Sequence, residues 1–525
     1  MKSIKNRILK ICPKTGRIRG FNKKFILYKL LFPLFGLASL IWVLIRVIPK
    51  PSRAFYPCQT VAIPAATAFL SFFSSMFLSV ATYKGALHFL RKHSIIIASL
   101  VFLIGAPISI FLYINSSDKA YAADTGTFTP SDKPNSPIGT ASGIKPGRVA
   151  WSYDLSACTW DGSSKYWWSD AYNDQTKISA ILDSVVCSVA DKQTVKAAWD
   201  TLFRFHNGGA PYMKGEKIFV KLNLNNGGGS NSIDASPQSV YALLDQLVNK
   251  FGADQADIIL ADPARENQIS AIKNYCSGVF PKVIYNTNLG GFTSNSLPYL
   301  QAPEKGLSAA LINSKYLITM AILKRHCTPS ATYGTDGVDY GNASVTMIFK
   351  SSWGLIGNGR GAKEMHQKLH DWDFSMNSYH ILTDIYGSKH INGKTVLNII
   401  DGLYSGDRWN SWPRKWNIAP FNGNYPSSFF ASQDPVAIES VGLDFLRAEM
   451  PLFKNADRHL HEAALADNPP SGTVYQPDGT RIGSLGVHEH WNNSTDKKYS
   501  RNLGTGNGIE LVYIPMHGSP VRHRL

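Results

Sequence analysis

A chain of 525 residues with 54 Lys and Arg against 37 Asp and Glu carries a formal charge of +17, but the excess is confined to one end. Residues 1–120 hold 17 of the cations and a single acid, Asp118, which leaves the other 405 residues near +1. A basic nucleic-acid surface, whose affinity comes from phosphate contacts, is thereby excluded for the bulk of the chain.

Ten of the cations precede the first apolar run, from Lys2 to Lys29. A cationic cluster directly before an apolar span marks a cytoplasmic side. Three apolar stretches follow, at 30–48, 61–83 and 95–114, each near the roughly 20 residues that a bilayer crossing requires. They predict a membrane anchor over 30–115 made of about three transmembrane helices, with residues 1–29 as a basic cytoplasmic tail. Both links, 46–60 and 84–93, carry three Lys or Arg, so orientation rests on the amino-terminal cluster. It predicts a multi-pass cell-membrane protein with everything after residue 114 extracytoplasmic. Residues 116–148, rich in Thr, Ser, Pro and Gly after residue 124, read as a flexible linker.

The remainder, 149–525, is expected to be one α/β domain. The stretch 217–224 alternates as a strand does, Ser236 and Pro237 form a helix start, Val240, Leu243, Leu244 and Leu247 recur at helical spacing, and Gly252 stops the helix. A buried strand is expected at 257–260, which completes a βαβ unit and implies a parallel sheet. Further strands are expected at 282–285, 316–323 and 396–400, with a helix over 377–388. Asp434 and Pro435 open another helix running through Leu446. The expected fold class is therefore α/β, a largely parallel doubly wound sheet preceded by about three transmembrane helices.

Cys158, Cys187, Cys276 and Cys327 show no CxxC pair, so no iron–sulfur motif is present and disulfides are the natural expectation outside the cytoplasm. The tryptophans at 151, 160, 167, 168, 409, 412 and 416 either pack a lobe or stack on an envelope glycan.

In open parallel sheets ligands gather beyond the carboxyl ends of the strands. That rule nominates Asn223, Asn225, Asp262, Lys324, Arg325, His326, Asp401 and Asp434. The same residues carry a resemblance: Lys221, Leu222 and Asn223, then Ser236 and Pro237, Asp262, Lys324 to His326, Val345 and Thr346 to Lys350, Gly354, and Ser432 to Ala437 are similar to the family called domain of unknown function 362. The similarity spans roughly 215–450. Ser351 and Glu439 stand where the family usually has Asn and Asp, and the ferredoxin-type clusters of some relatives are absent. The resemblance implies a fold and a pocket, not a reaction.

Lys221, Lys324, Arg325 and Lys350 beside loop amides favour an anionic ligand. The expected site has His326, Asp262 and Asp434 as catalytic groups and Lys221, Asn223, Lys324 and Lys350 as substrate ligands. A divalent metal is a further expectation, with His366 and Asp401 as its ligands. His488 and His490 form a local His-x-His whose side chains share one face of a strand and could hold a metal. Three functions follow: an enzyme acting on an anionic small molecule or envelope component, a non-catalytic binding or sensing protein, or a metal or redox protein.

Overall fold

The computed structural model describes residues 128–226, 231–265, 269–286, 289–293, 297, 306–326, 345–357, 376–452 and 455–516, with short pieces at 9–11, 18–21, 38–42, 45, 83–84 and 88. The chain divides into two units, Met1–Thr125 and Gly126–Leu525. In the first, Leu9–Ile11 pairs antiparallel with Ile18–Phe21.

The expected membrane anchor is corrected. Among the described residues, no helix is long and apolar enough to cross a membrane. An apolar run records only that a segment avoids water; a crossing also needs about 20 residues in one continuous helix. The helical residues described in the first stretch are 38–42 and 45, and the rest of the three stretches lies almost wholly outside the described residues. With the three transmembrane helices, the multi-pass location and the extracytoplasmic placement of the domain are withdrawn.

The second unit is built on one sheet of eight strands: β1 (Arg148–Tyr153), β2 (Ile218–Lys221), β3 (Ile258–Ala261), β4 (Ile284–Tyr285), β5 (Tyr316–Lys324), β6 (Thr395–Gly406), β7 (Ser428–Ser432) and β8 (Glu510–Pro515), in the order β8-β1-β7-β6-β5-β2-β3-β4. Alternating residues bury both faces. Ile218, Val220, Ile258 and Leu260 face α1 (Gln175–Ala190), α2 (Val195–His206), α3 (Pro237–Leu244) and α4 (Ser270–Cys276). Phe219, Ile259, Leu317 and Ala321 face α5 (Ile348–Ser352), α6 (Ile381–Tyr386), α7 (Pro435–Glu449) and α8 (Arg458–Ala464).

The sheet is mixed: it is largely parallel, as expected, with one antiparallel strand inserted. β7 runs antiparallel to both β6 and β1, while the other five pairings are parallel. Parallel neighbours need a crossover, usually a helix. Residues 407–427 between β6 and β7 hold no helix, so the chain turns back beside itself.

Local signals account for the helix ends. Ser236 Oγ accepts from Ser239 N at 3.0 Å, and Pro237 opens α3. The helix continues as a π-helical turn, Asp245–Phe251, to Gly252 at φ 101°. The linker expected over 116–148 is packed on the domain from Phe128, which is buried against the core. Ile138–Gly139 pairs with Val487–His488, and Ser142 N donates to Asp434. Trp151, Trp160, Trp167 and Trp416 are buried, so packing occupies their rings; Trp412 is exposed. Cys158, Cys187 and Cys276 are free thiols, and Cys327 lies outside the described residues.

Candidate functional site

From β2 the parallel strands proceed outward to β3 and β4, then the chain returns to the other side of β2 to form β5 and β6. The order reverses between β2 and β5, and such a reversal opens a crevice at the carboxyl ends of the strands. A small cavity of about 50 Å³ lies there, lined among others by Lys221, Asn223, Asp262, Lys324, His326 and Lys350. It also takes in Arg265, Thr346, Trp353, Gly354 and Trp409.

Lys221 ends β2 and Asp262 follows β3, and their side chains meet at 3.0 Å with almost no exposure. Asp262 Oδ2 also accepts from Leu224 N at 2.8 Å, so one carboxylate pins the loop after β2 as well as the lysine. Burial pulls the Lys221 ammonium below the usual lysine value, while Asp262 acts in the opposite sense. Gly354 allows this arrangement, because a Cβ there would lie 2.3 Å from Asp262 Oδ1 and 2.9 Å from Lys221 Nζ. Gly354→Ala is therefore expected to destabilise the domain by about 1–3 kcal/mol, the usual cost of overpacking, in urea denaturation.

Lys324 ends β5 and is fully buried. Its Nζ donates to Trp409 O at 3.0 Å and Ile233 O at 3.3 Å, and no carboxylate among the described residues lies within ion-pair distance. Burial pulls its pKa down to about 8, opposed by the field of Asp234 and Asp262. Asp234 itself is occupied by Asn225 N and Asn226 N at 2.8 and 2.9 Å. His326 Nδ1 lies 2.7 Å from Thr346 Oγ1, and its carbonyl accepts from Trp409 N. Lys350, on α5, sits with its Nζ 5.3 Å from the Trp353 ring centroid. Glu439 seats that helix, accepting from Phe349 N at 2.7 Å while holding His459 at 2.7 Å.

Other nominated residues stand elsewhere. Asp434 caps α7, accepting from Ala437 N, Ser142 N and Val487 N, and burial pushes its carboxyl up to about 7. Asp401, pushed up to about 6 by burial, accepts from Ser239 Oγ at 2.6 Å and Leu403 N at 3.0 Å. Arg325 donates to the carbonyls of Asp407 and Pro451 and does not line the cavity, as expected for the neighbour of an inward Lys324 on a strand. His366 and the glycines 227–229 lie outside the described residues. The residues missed in the sequence include Arg265, three places after Asp262, and Trp353, next to Gly354; Trp409, expected to pack or to stack on a glycan, is brought in by the β6–β7 loop. Two His and Asp groups with metal-ligand spacing do occur among the described residues: Asp132, His461 and His488, and Asp457, His488 and His490. No protein-family model, no curated protein and no solved structure matches the chain.

Proposed function

We propose that the α/β unit binds a small molecule through its oxyanion, a phosphate or a carboxylate, in the crevice between β2 and β5. The observation that carries this reading is Lys324, a fully buried ammonium held by two backbone carbonyls with no carboxylate of the described residues at ion-pair distance. A buried cation is costly unless paired with an anion, and a ligand oxyanion supplies that partner. Lys221 and Lys350 extend the positive lining, and Asn223 adds an amide. His326, oriented by Thr346, is the acid–base group where the ligand is turned over. Asp262 serves by holding Lys221. The likeness of these residues to the domain of unknown function 362 family belongs to the same proposal.

Sulfate is the test ligand because it does not titrate between pH 6 and pH 10. Calorimetry on the full chain is expected to show saturable binding that weakens at least tenfold in Lys324→Met, the scale of a lost charged hydrogen bond. The sign with pH follows from a lysine pKa of about 8. Affinity holds below pH 8 and falls by up to about tenfold per pH unit above it, as the ammonium is lost. Equal affinity and an equal pH slope in wild type and Lys324→Met would remove the assignment. Binding with turnover of a phosphorylated or carboxylated compound, reduced about 10²–10⁴-fold in His326→Ala, would identify an enzyme; binding without turnover, a ligand-holding domain.

A further inference from the structure

On the α7 side of the sheet, far along the chain from the residues of the anion crevice, three imidazoles and two carboxylates converge. His488 and His490 lie two residues apart, one on and one just after the short strand Val487–His488. Their ring centroids are 4.8 Å apart, and that of His461, from α8, is 4.9 Å from His488. Asp457 precedes α8, and its Oδ2 lies 3.3 Å from His490 Nε2 and 3.7 Å from His461 Nε2. Asp132, from the amino-terminal segment of the unit, places Oδ2 2.8 Å from His461 Nε2. His488, His490 and Asp457 are buried.

The tautomers are set from outside the cluster. Ser440 Oγ donates to Val436 O at 2.7 Å, so it can only accept from His488 Nδ1, 2.8 Å away. The proton of His488 is therefore on Nδ1, and Nε2 carries its lone pair into the cluster. That buried Nε2 has no hydrogen-bond partner among the described residues. His490 Nδ1 lies 2.7 Å from Asp444 Oδ1, a carboxylate that also accepts from Arg447, Trp491 N and Tyr499, which turns His490 Nε2 inward as well. A histidine held through its outer nitrogen by a carboxylate or hydroxyl is the arrangement that supports metal-ligating imidazoles. Glu489, between the two, faces the other way onto Ser500 and Ile509 N.

We propose that His461, His488, His490 and Asp457, with Asp132 at the rim, form a binding site for a divalent first-row transition-metal ion. Within each of the two triads that share His488, all ligand atoms lie within 4.8 Å of one another. A tetrahedral ion with bonds of about 2.0–2.1 Å separates its ligands by roughly 3.3 Å, so small side-chain adjustments close the site. Three imidazoles with carboxylate oxygen suit zinc, iron, cobalt or nickel and not calcium or magnesium, which prefer oxygen alone. A cavity of about 380 Å³ lined by Thr129, Asp132, Arg447, His490 and Trp491 leads to the cluster. It supplies an entry path for the ion and room for a small molecule beside it.

Zinc chloride titrated into the chelator-stripped full chain is the experiment, read by calorimetry and by the thermal midpoint. Binding at one ion per chain, with a midpoint that rises with zinc concentration, is expected. His488→Gln should weaken binding more than 100-fold, and Ser440→Ala, which frees the tautomer, about 10–100-fold. Asp132→Asn sits at the partly exposed rim and should weaken binding at least tenfold without unfolding the chain. It decides the matter if His488→Gln does not fold. No binding of zinc or cobalt by the stripped chain would overturn the site. So would zinc binding that Asp132→Asn and Ser440→Ala leave unchanged.

Discussion

Asp262→Ala is expected to lower the stability of the α/β unit by about 3–5 kcal/mol, the cost of leaving one member of a buried ion pair without its partner. Lys221 Nζ, 3.0 Å from Asp262 Oδ1, has Leu222 O and Ser351 Oγ as its other neighbours, and neither carries charge. The substitution also strips Leu224 N of its acceptor, so the loop that carries Asn223 and Asn225 loosens. Urea denaturation followed by tryptophan fluorescence reads the effect. Lys221→Met combined with Asp262→Leu should recover part of the loss, because removing both charges is far less costly than removing one. A cost below about 1 kcal/mol for Asp262→Ala would show that the lysine is neutral or paired by other means.

Asp434→Ala is expected to be as damaging, at about 3–5 kcal/mol, though Asp434 does not line the crevice. Its carboxylate accepts three backbone N–H groups from three separate stretches: Ala437 in α7, Ser142 near the amino end of the unit and Val487 in the short strand. Each buried donor left without an acceptor costs about 1–3 kcal/mol, beyond the cap itself. Asp434→Asn should cost nearly as much, since its amide must turn an NH2 group toward at least one of these donors. Gly486 makes the close approach possible, because a Cβ there would lie 2.0 Å from Asp434 Oδ1. A thermal midpoint for Asp434→Asn within a degree or two of wild type would show that one oxygen suffices.

Asp434 shows how little of a residue's surroundings is visible in sequence. An acid before a proline at a helix start is compatible with a strand-end site, and the cap alone explains its identity. Only the arrival of Ser142 and Val487, 292 and 53 residues away in sequence, reveals a carboxylate that ties the domain's two ends together. The His-x-His at 488 and 490 is the reverse case. The two imidazoles are visible, but Asp132, Asp457 and His461 are recruited by the docking of the amino-terminal segment and α8, which no local spacing encodes.

Alternation, the Ser236 and Pro237 start and the Gly252 stop act within a turn or a strand, so β2, α3 and β3 are legible in the sequence. So is the placement of Lys221, Asn223, Asp262, Lys324 and His326 at or just after strand ends. The tertiary structure alone decided that β2 and β5 are neighbours, which brings Lys221, Lys324 and Lys350 around one cavity. It also decided that β7 runs antiparallel between β6 and β1, and that β8 returns from residue 510 to pair with β1 at residue 148. The physical reason is range. Caps and alternation are satisfied by residues a few positions apart, whereas sheet order, the direction of β7 and the meeting of His488 with Asp457 depend on which distant segments bury each other's apolar faces.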